Sequence, residues 1–277
     1  MQLADADSIE LFYASMTDTE CWQYLQTRAM DEGLEMPLLD LITHANQTIP
    51  HQTKIPGLPS PRLAPSADYC ADMLIRDGSH IEVDYSCDLW ICLLFFKDKC
   101  RPMTAEFDHP NGIYKIGDTL HSLRPLKDQR VLNSAVDCPP QWSIYSPERD
   151  ELVQFLTHGS KYFAPYDACN AYHDVKLTTR SRKFCVSSYT DSQGKRRFLQ
   201  ALGGSQGLAA MGTFFPGWIR YGYCFFFGLH WMAWWIQFID DGMAHANEET
   251  RCRNRYRLMT FAQLLMGLTP SPKHQFG

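Results

Sequence analysis

Three carboxylates hold the most chemistry in this sequence. Asp167 follows a short strand-like run at 162–166, and Asp240-Asp241 stand at a hairpin tip between two more such runs, 234–239 and 242–246. Acids brought to neighbouring strand ends repel one another unless a divalent cation sits between them, and hard oxygen donors of this kind suit Mg²⁺. Two such ions can serve phosphoryl transfer, one activating an attacking hydroxyl and the other steadying the leaving oxygen. The competing reading is turn chemistry, because aspartate is favoured in hairpin tips whatever the function.

Basic residues are the second signal. Arg180, Arg182, Lys183, Lys195, Arg196 and Arg197 fall in a stretch whose one acid is Asp191, a local excess suited to sequence-independent phosphate binding. A second run, Arg251, Arg253, Arg255 and Arg257, has a spacing that spreads it around a helix, so half of it can simply be solvated. The formal charge of −5 over 277 residues hides this pattern: the first 40 residues carry −8 and the remainder +3. Hydrophobic residues make up 45%, enough for a buried core and against a disordered tail. The ten cysteines include no C-x-x-C pair and the first 30 residues lack a signal peptide, which predicts reduced thiols in an intracellular setting, cytoplasmic or nuclear. His173 and His230 have no Cys or His partner at ligand spacing and are expected to pack. No Gly-rich phosphate loop, serine elbow or zinc motif is visible.

These residues need elements to position them. Thr17 and Glu20 have capping-box spacing ahead of Trp22, Leu25 and Met30, and a second apolar run, 38–42, extends the helical reading. Five prolines between 49 and 66 suit an extended linker. A strand is expected at 89–96, a hairpin around Gly117-Asp118, a helix over 146–158 closed by Gly159, a hairpin around 191–194, and a last helix over 248–265 stopped by Gly267. Residues 221–239 carry no formal charge and are long enough for a membrane span. Gly222, Gly228, His230, Gln237 and the following acids favour a packed core instead. The stretch should then break into a helix near Gly228 and a strand before Asp240, with Trp231 and Trp235 buried.

Five motifs, in order, resemble those of reverse transcriptases: Arg124-x3-Asp128-x-Arg130-x-Leu132-Asn133; the run 162–175 with Asp167 and Tyr172-His173-x-Val175; Ser205-Gln206-Gly207-Leu208 before Phe214-Phe215; Phe238-Ile239-Asp240-Asp241; and Gly267-Leu268-x4-Lys273. They cover roughly residues 90–277 and are similar to the gypsy-type LTR retrotransposon and retroviral enzymes. The resemblance implies an α+β chain with the polymerase right-hand fingers and palm, an antiparallel palm sheet backed by helices, and a helical N-terminal extension ahead of them. The segments would be an acidic extension at 1–48, a Pro-rich linker at 49–67, a fingers-like region at 68–160 and a palm-like region at 161–277, with thumb and ribonuclease H absent.

It further implies template-directed DNA synthesis from dNTPs. Asp167, Asp240 and Asp241 would hold two Mg²⁺ ions, with Mn²⁺ as a substitute. Lys115 and Arg124 would grip the triphosphate, Gln206 would touch the incoming nucleotide, and Lys273 would lie near the leaving pyrophosphate. The ring of Tyr172 would exclude a 2′-hydroxyl. Arg180, Arg182, Lys183, Arg196 and Arg197 would contact an RNA or DNA template with its primer, a separate protein could supply thumb or ribonuclease H, and no membrane is implied. The sequence departs from the family at Phe238, where tyrosine is usual, around Gln206, which lacks Pro-Phe-Gly-Leu, at 101–113, which reads as an insertion, and in ending four residues after Lys273. The alternative is an inactive polymerase-like fold serving as a nucleic-acid- or protein-binding scaffold.

Overall fold

The computed structural model describes residues 12–13, 15–34, 38–41, 64–98, 113–116, 119–136 and 160–271. The chain is α+β. Its elements are α1 (Asp18–Asp31), α2 (Ala64–Arg76), β1 (His80–Glu82), β2 (Ile91–Asp98), β3 (Ile113–Ile116), β4 (Thr119–Lys127), α3 (Arg130–Ala135), β5 (Tyr162–Asp167), α4 (Ala171–Asp174), α5 (Thr179–Arg182), β6 (Val186–Thr190), β7 (Arg196–Ala201), α6 (Ala209–Phe227), a 3₁₀ turn (His230–Ala233), β8 (Trp235–Phe238), β9 (Asp241–Ala246) and α7 (Glu249–Leu265). The helix expected at 146–158, the linker prolines up to Pro61, the Gly117-Asp118 turn, residues 101–112 and Lys273 lie outside the described residues.

Two compact units form, each discontinuous in sequence: Met1–Pro37 with Pro140–Ala171 and Gly212–Gly277, and Leu38–Pro139 with Tyr172–Met211. Contiguous fingers-like and palm-like segments were the expectation. The two units interleave along the chain because β6 pairs parallel to β2 through Val186 and Ile91, 95 residues apart, a long-range contact that no local pattern announces.

In the first unit β5, β9 and β8 make an antiparallel three-stranded sheet. Pro165 is tolerated because β5 is an edge strand and needs no donor on its open side. One face of the sheet is buried through Ala164, Tyr166, Trp235, Gln237, Gly242 and Ala244, and α7 crosses β9 and β5. Helix α7 turns Cys252, Tyr256, Met259, Ala262 and Gln263 inward at helical spacing, and ends at Gly267 in the left-handed region (φ 81°). Thr17 and Glu20 form the expected capping box on α1, which packs on α7. There Asp18 pairs with Arg257, while Arg28 Nη1 donates to Phe226 O at 3.2 Å, capping the C-terminal end of α6.

The apolar stretch 221–239 divides as its glycines suggest. Helix α6 ends at Phe227, Gly228 turns the chain (φ 59°), and the 3₁₀ turn leads into β8. Trp231 and Trp235 are buried in the core. No helix among the described residues is long and apolar enough to cross a membrane.

The second unit has a six-stranded mixed sheet in the order β1-β7-β6-β2-β4-β3. Its core gathers Ala71 of α2 with Leu94, Tyr189 and Leu199. Helix α2 begins at Ala64, so the chain is helical before the expected end of the linker at 67, with Pro65 tolerated in the first turn. The run 38–42 is not helical where described. Leu39 instead bridges Leu177, its N–H donating to Lys176 O at 3.0 Å, because extended backbone there buries both Leu39 and Leu41.

Arg197 anchors this sheet. Its guanidinium reaches Asp72 at 2.8 Å, Glu82 at 2.7 Å and Tyr189 Oη at 3.0 Å. Arg197→Ala is expected to cost about 1 kcal/mol in urea unfolding, by removing the guanidinium that joins the exposed acids Asp72 and Glu82 to Tyr189, and Arg197→Lys should not restore it because an ammonium lacks the planar fork.

Candidate active site

The β8–β9 hairpin closes on the pair Phe238 and Asp241, so its two-residue tip is Ile239-Asp240 and lies one residue earlier than expected. Ile239 has a φ of 54°, a left-handed conformation that costs a β-branched residue about 1–2 kcal/mol. Glycine usually occupies such a position in a two-residue hairpin turn. The consequence for the acids is direct: Asp241 becomes the first residue of β9, and its partner across the sheet is Asp167, the last residue of β5. Paired positions point their side chains to the same face, here the open one, with Phe238 beside them.

Asp240 is half-buried at the turn. Burial holds its carboxyl above the usual carboxylate range; its own backbone N–H pulls the other way, and the charge of Asp167 adds to the rise. The structure therefore sets Asp167 and Asp241 opposite each other in register, with Asp240 on the adjoining turn. The segment after Gly267 runs alongside: Ser271 N–H donates to Asp167 O at 2.7 Å and Cys169 N–H to Thr269 O at 2.7 Å.

The tip has support that the sequence reading missed. Gln237, buried between Ile236 and Phe238, donates through Nε2 to Ile239 O at 3.0 Å, and its Oε1 accepts from Trp235 Nε1 at 2.7 Å and Tyr223 Oη at 3.0 Å. Gly242 lies under the Trp235 indole, where a Cβ would stand 2.0 Å from the ring. A polar residue inside an otherwise apolar strand was the available signal for Gln237, since a buried amide needs partners. Nothing local pointed to Tyr223.

The remaining expected site residues belong to the second unit. Arg124 is exposed on β4 opposite Lys97, and Lys115 lies on β3 opposite Leu120. Gln206 is exposed in a loop that Asn133 clamps, its Nδ2 donating to Gly207 O at 2.7 Å and its Oδ1 accepting from Ala209 N–H at 2.9 Å. Ser205 Oγ donates to Gln129 Oε1 at 3.1 Å. Asn133 thus caps α6 and shapes the Gln206 loop. Tyr172 is half-buried in α4, and a Cβ at Gly203 would sit 2.1 Å from the His173 carbonyl, so glycine is required where the chain passes that turn. The ring of His173 packs edge-on against His80 at 5.6 Å.

The basic residues are partly engaged within the protein. Arg180 pairs with Asp40, Arg182 Nε donates to Leu177 O at 3.2 Å, Lys183 lies over the Phe184 ring, and Arg196 is half-buried on β7. Arg197 is held as described above. In the second run, Arg255 is buried and donates to His245 O at 2.7 Å, Arg253 pairs with Glu249 at 3.0 Å, and Arg257 pairs with Asp18.

No protein-family model matches the chain, and none of the curated proteins matches it. The carboxylates are then what carries a functional reading. Among the described residues no group of three or more His, Cys, Asp or Glu side chains is gathered so as to hold a metal by itself. The charge of Asp167 adds to the rise of the Asp240 carboxyl, and a cation of the Mg²⁺ kind would need only one or two carboxylates, the rest of its shell coming from water and substrate phosphates.

Proposed function

We propose that the chain is a reverse-transcriptase-like nucleotidyltransferase, with the first unit as palm and the second as fingers, working on dNTPs and a primed RNA or DNA template inside the cell. The observation that carries this is the pairing of Asp167 with Asp241 across the β5–β9 register, with Asp240 on the adjoining turn. Bound by these acids, Mg²⁺ would supply activation of the primer 3′-hydroxyl and charge for the leaving pyrophosphate. The chain's own part is orientation: β5 and β9 hold two carboxylates on one face, and the turn directs the third. Lys115 and Arg124 would neutralise the triphosphate, and Arg is suited to that role by its planar set of donors. Gln206 would meet the nucleotide from a loop that Asn133 keeps in shape.

Primer extension with Mg²⁺ or Mn²⁺ tests the reading, and extension dependent on template and dNTPs is the expected result. Tyr172→Ala should raise ribonucleotide incorporation relative to deoxynucleotide by about tenfold or more, because the ring excludes a 2′-hydroxyl and does not itself catalyse. The scaffold reading has one observation in its favour: Arg197, Arg255 and Arg257 are engaged by groups of the chain itself. A chain that binds primer-template and never extends it, in either metal, would establish that alternative.

A further inference from the structure

We propose that Tyr223 and Gln263 are positioning residues for the carboxylate turn, acting on Asp240 through Gln237; this rests on the metal-binding reading of the acids given above. The donors and acceptors along the path allow one arrangement. The carbonyl of Ile239 can only accept, so Gln237 must turn its nitrogen toward it, at 3.0 Å. Oε1 of Gln237 then faces Trp235 Nε1, which can only donate, at 2.7 Å, and takes the Tyr223 hydroxyl proton at 3.0 Å. Tyr223 Oη in turn accepts from Gln263 Nε2. The path joins α7, α6 and the hairpin, and all four side chains are buried.

Packing alone does not ask for these residue types. Met, Phe and Leu would fill the same volumes without burying four polar groups that each must find a partner. What the path does accomplish is at its end. Ile239 holds a left-handed conformation unfavourable to a β-branched residue, a strain that persists only where surrounding contacts hold the turn, among them those on the Ile239–Asp240 peptide. A hydrogen bond to the Ile239 carbonyl fixes that peptide, and with it the direction in which the Asp240 carboxylate leaves the backbone. Gly242, by admitting the Trp235 ring against β9, keeps the indole donor within reach of Gln237.

The test uses the full chain, with Tyr223→Phe and Gln263→Met, which keep shape and remove the polar group. Two measurements are made: hydrogen exchange in peptides covering 236–243, and Mn²⁺ affinity by paramagnetic titration. Both variants are expected to exchange about tenfold faster at the turn, with the rest of the chain unchanged, and to bind Mn²⁺ about tenfold more weakly, the scale of one buried hydrogen bond. In an Ile239→Gly background the loss should shrink below about twofold, because glycine adopts the left-handed turn without support. A merely structural role would give the same loss in both backgrounds, and that result overturns the proposal. So does unchanged exchange and unchanged Mn²⁺ affinity in both variants. If the unmutated chain binds no Mn²⁺ while the variants still loosen the turn, the metal reading fails and the positioning role stands. Should Tyr223→Phe fold poorly, Gln263→Met, one step further from the turn, gives the same readouts.

Discussion

Asp240→Asn is expected to drop primer extension to background, a loss on the order of 10³-fold or more, with an unchanged circular dichroism spectrum, since the amide keeps the shape and cannot hold a divalent cation. The same substitution should make the metal-free protein more stable at neutral pH. Burial and the charge of Asp167 hold the Asp240 carboxyl above the value of 3.8 that it has in an unfolded chain, so the folded state binds this proton more tightly than the unfolded state. The ionised carboxylate therefore weakens the fold at pH 7, and the penalty fades as the pH falls through the raised value toward 3.8. Thermal unfolding of variant and parent should differ in favour of the variant at neutral pH and converge in acid. A variant less stable than its parent at neutral pH would mean that a partner within the fold favours the ionised form, and the site would then be a structural one.

Gly242→Ala is the second large effect, and it acts on stability. The added methyl would lie 2.0 Å from Cζ2 and 2.5 Å from Cε2 of Trp235. The indole cannot give way: it is buried, packed against Tyr166 and Tyr223, and bonded through Nε1 to Gln237. A loss of about 3 kcal/mol in urea unfolding is expected. Gly212→Ala is the control, since open space surrounds that Cβ position on α6. It should gain up to about 1 kcal/mol from helix propensity. Equal effects at the two glycines would remove the packing argument for Trp235 and, with it, part of the support for the turn.

Local patterns foretold the elements well wherever the physics is local. The capping box at Thr17 and Glu20, the stop at Gly267, the hairpin around 191–194 and, with its tip one residue off, the hairpin expected at 240–241 all depend on residues a few positions apart. The division of 221–239 into helix, turn and strand was legible for the same reason, from its glycines and its polar residues. Composition misled at 38–41, where apolar spacing suggested a helix and Leu39 bridges Leu177 instead. There the partner lies far along the chain.

By itself, the sequence determined the α+β character, the strand and hairpin that carry Asp167, Asp240 and Asp241, and the resemblance from which a chemistry for those acids is proposed. Only the tertiary structure decided that Asp167 stands opposite Asp241, that the turn is Ile239-Asp240, and that residues 172–211 complete the sheet begun by β2. It also decided that Arg197 and Arg255 are engaged by groups of the protein itself and that Gln263 and Tyr223 connect to the turn through Gln237. The physical reason is range. Caps, turns and periodicity are written within a few residues, whereas register, burial of a charge and a hydrogen-bonded path depend on which distant segments meet, and those are set by the packing of the whole chain.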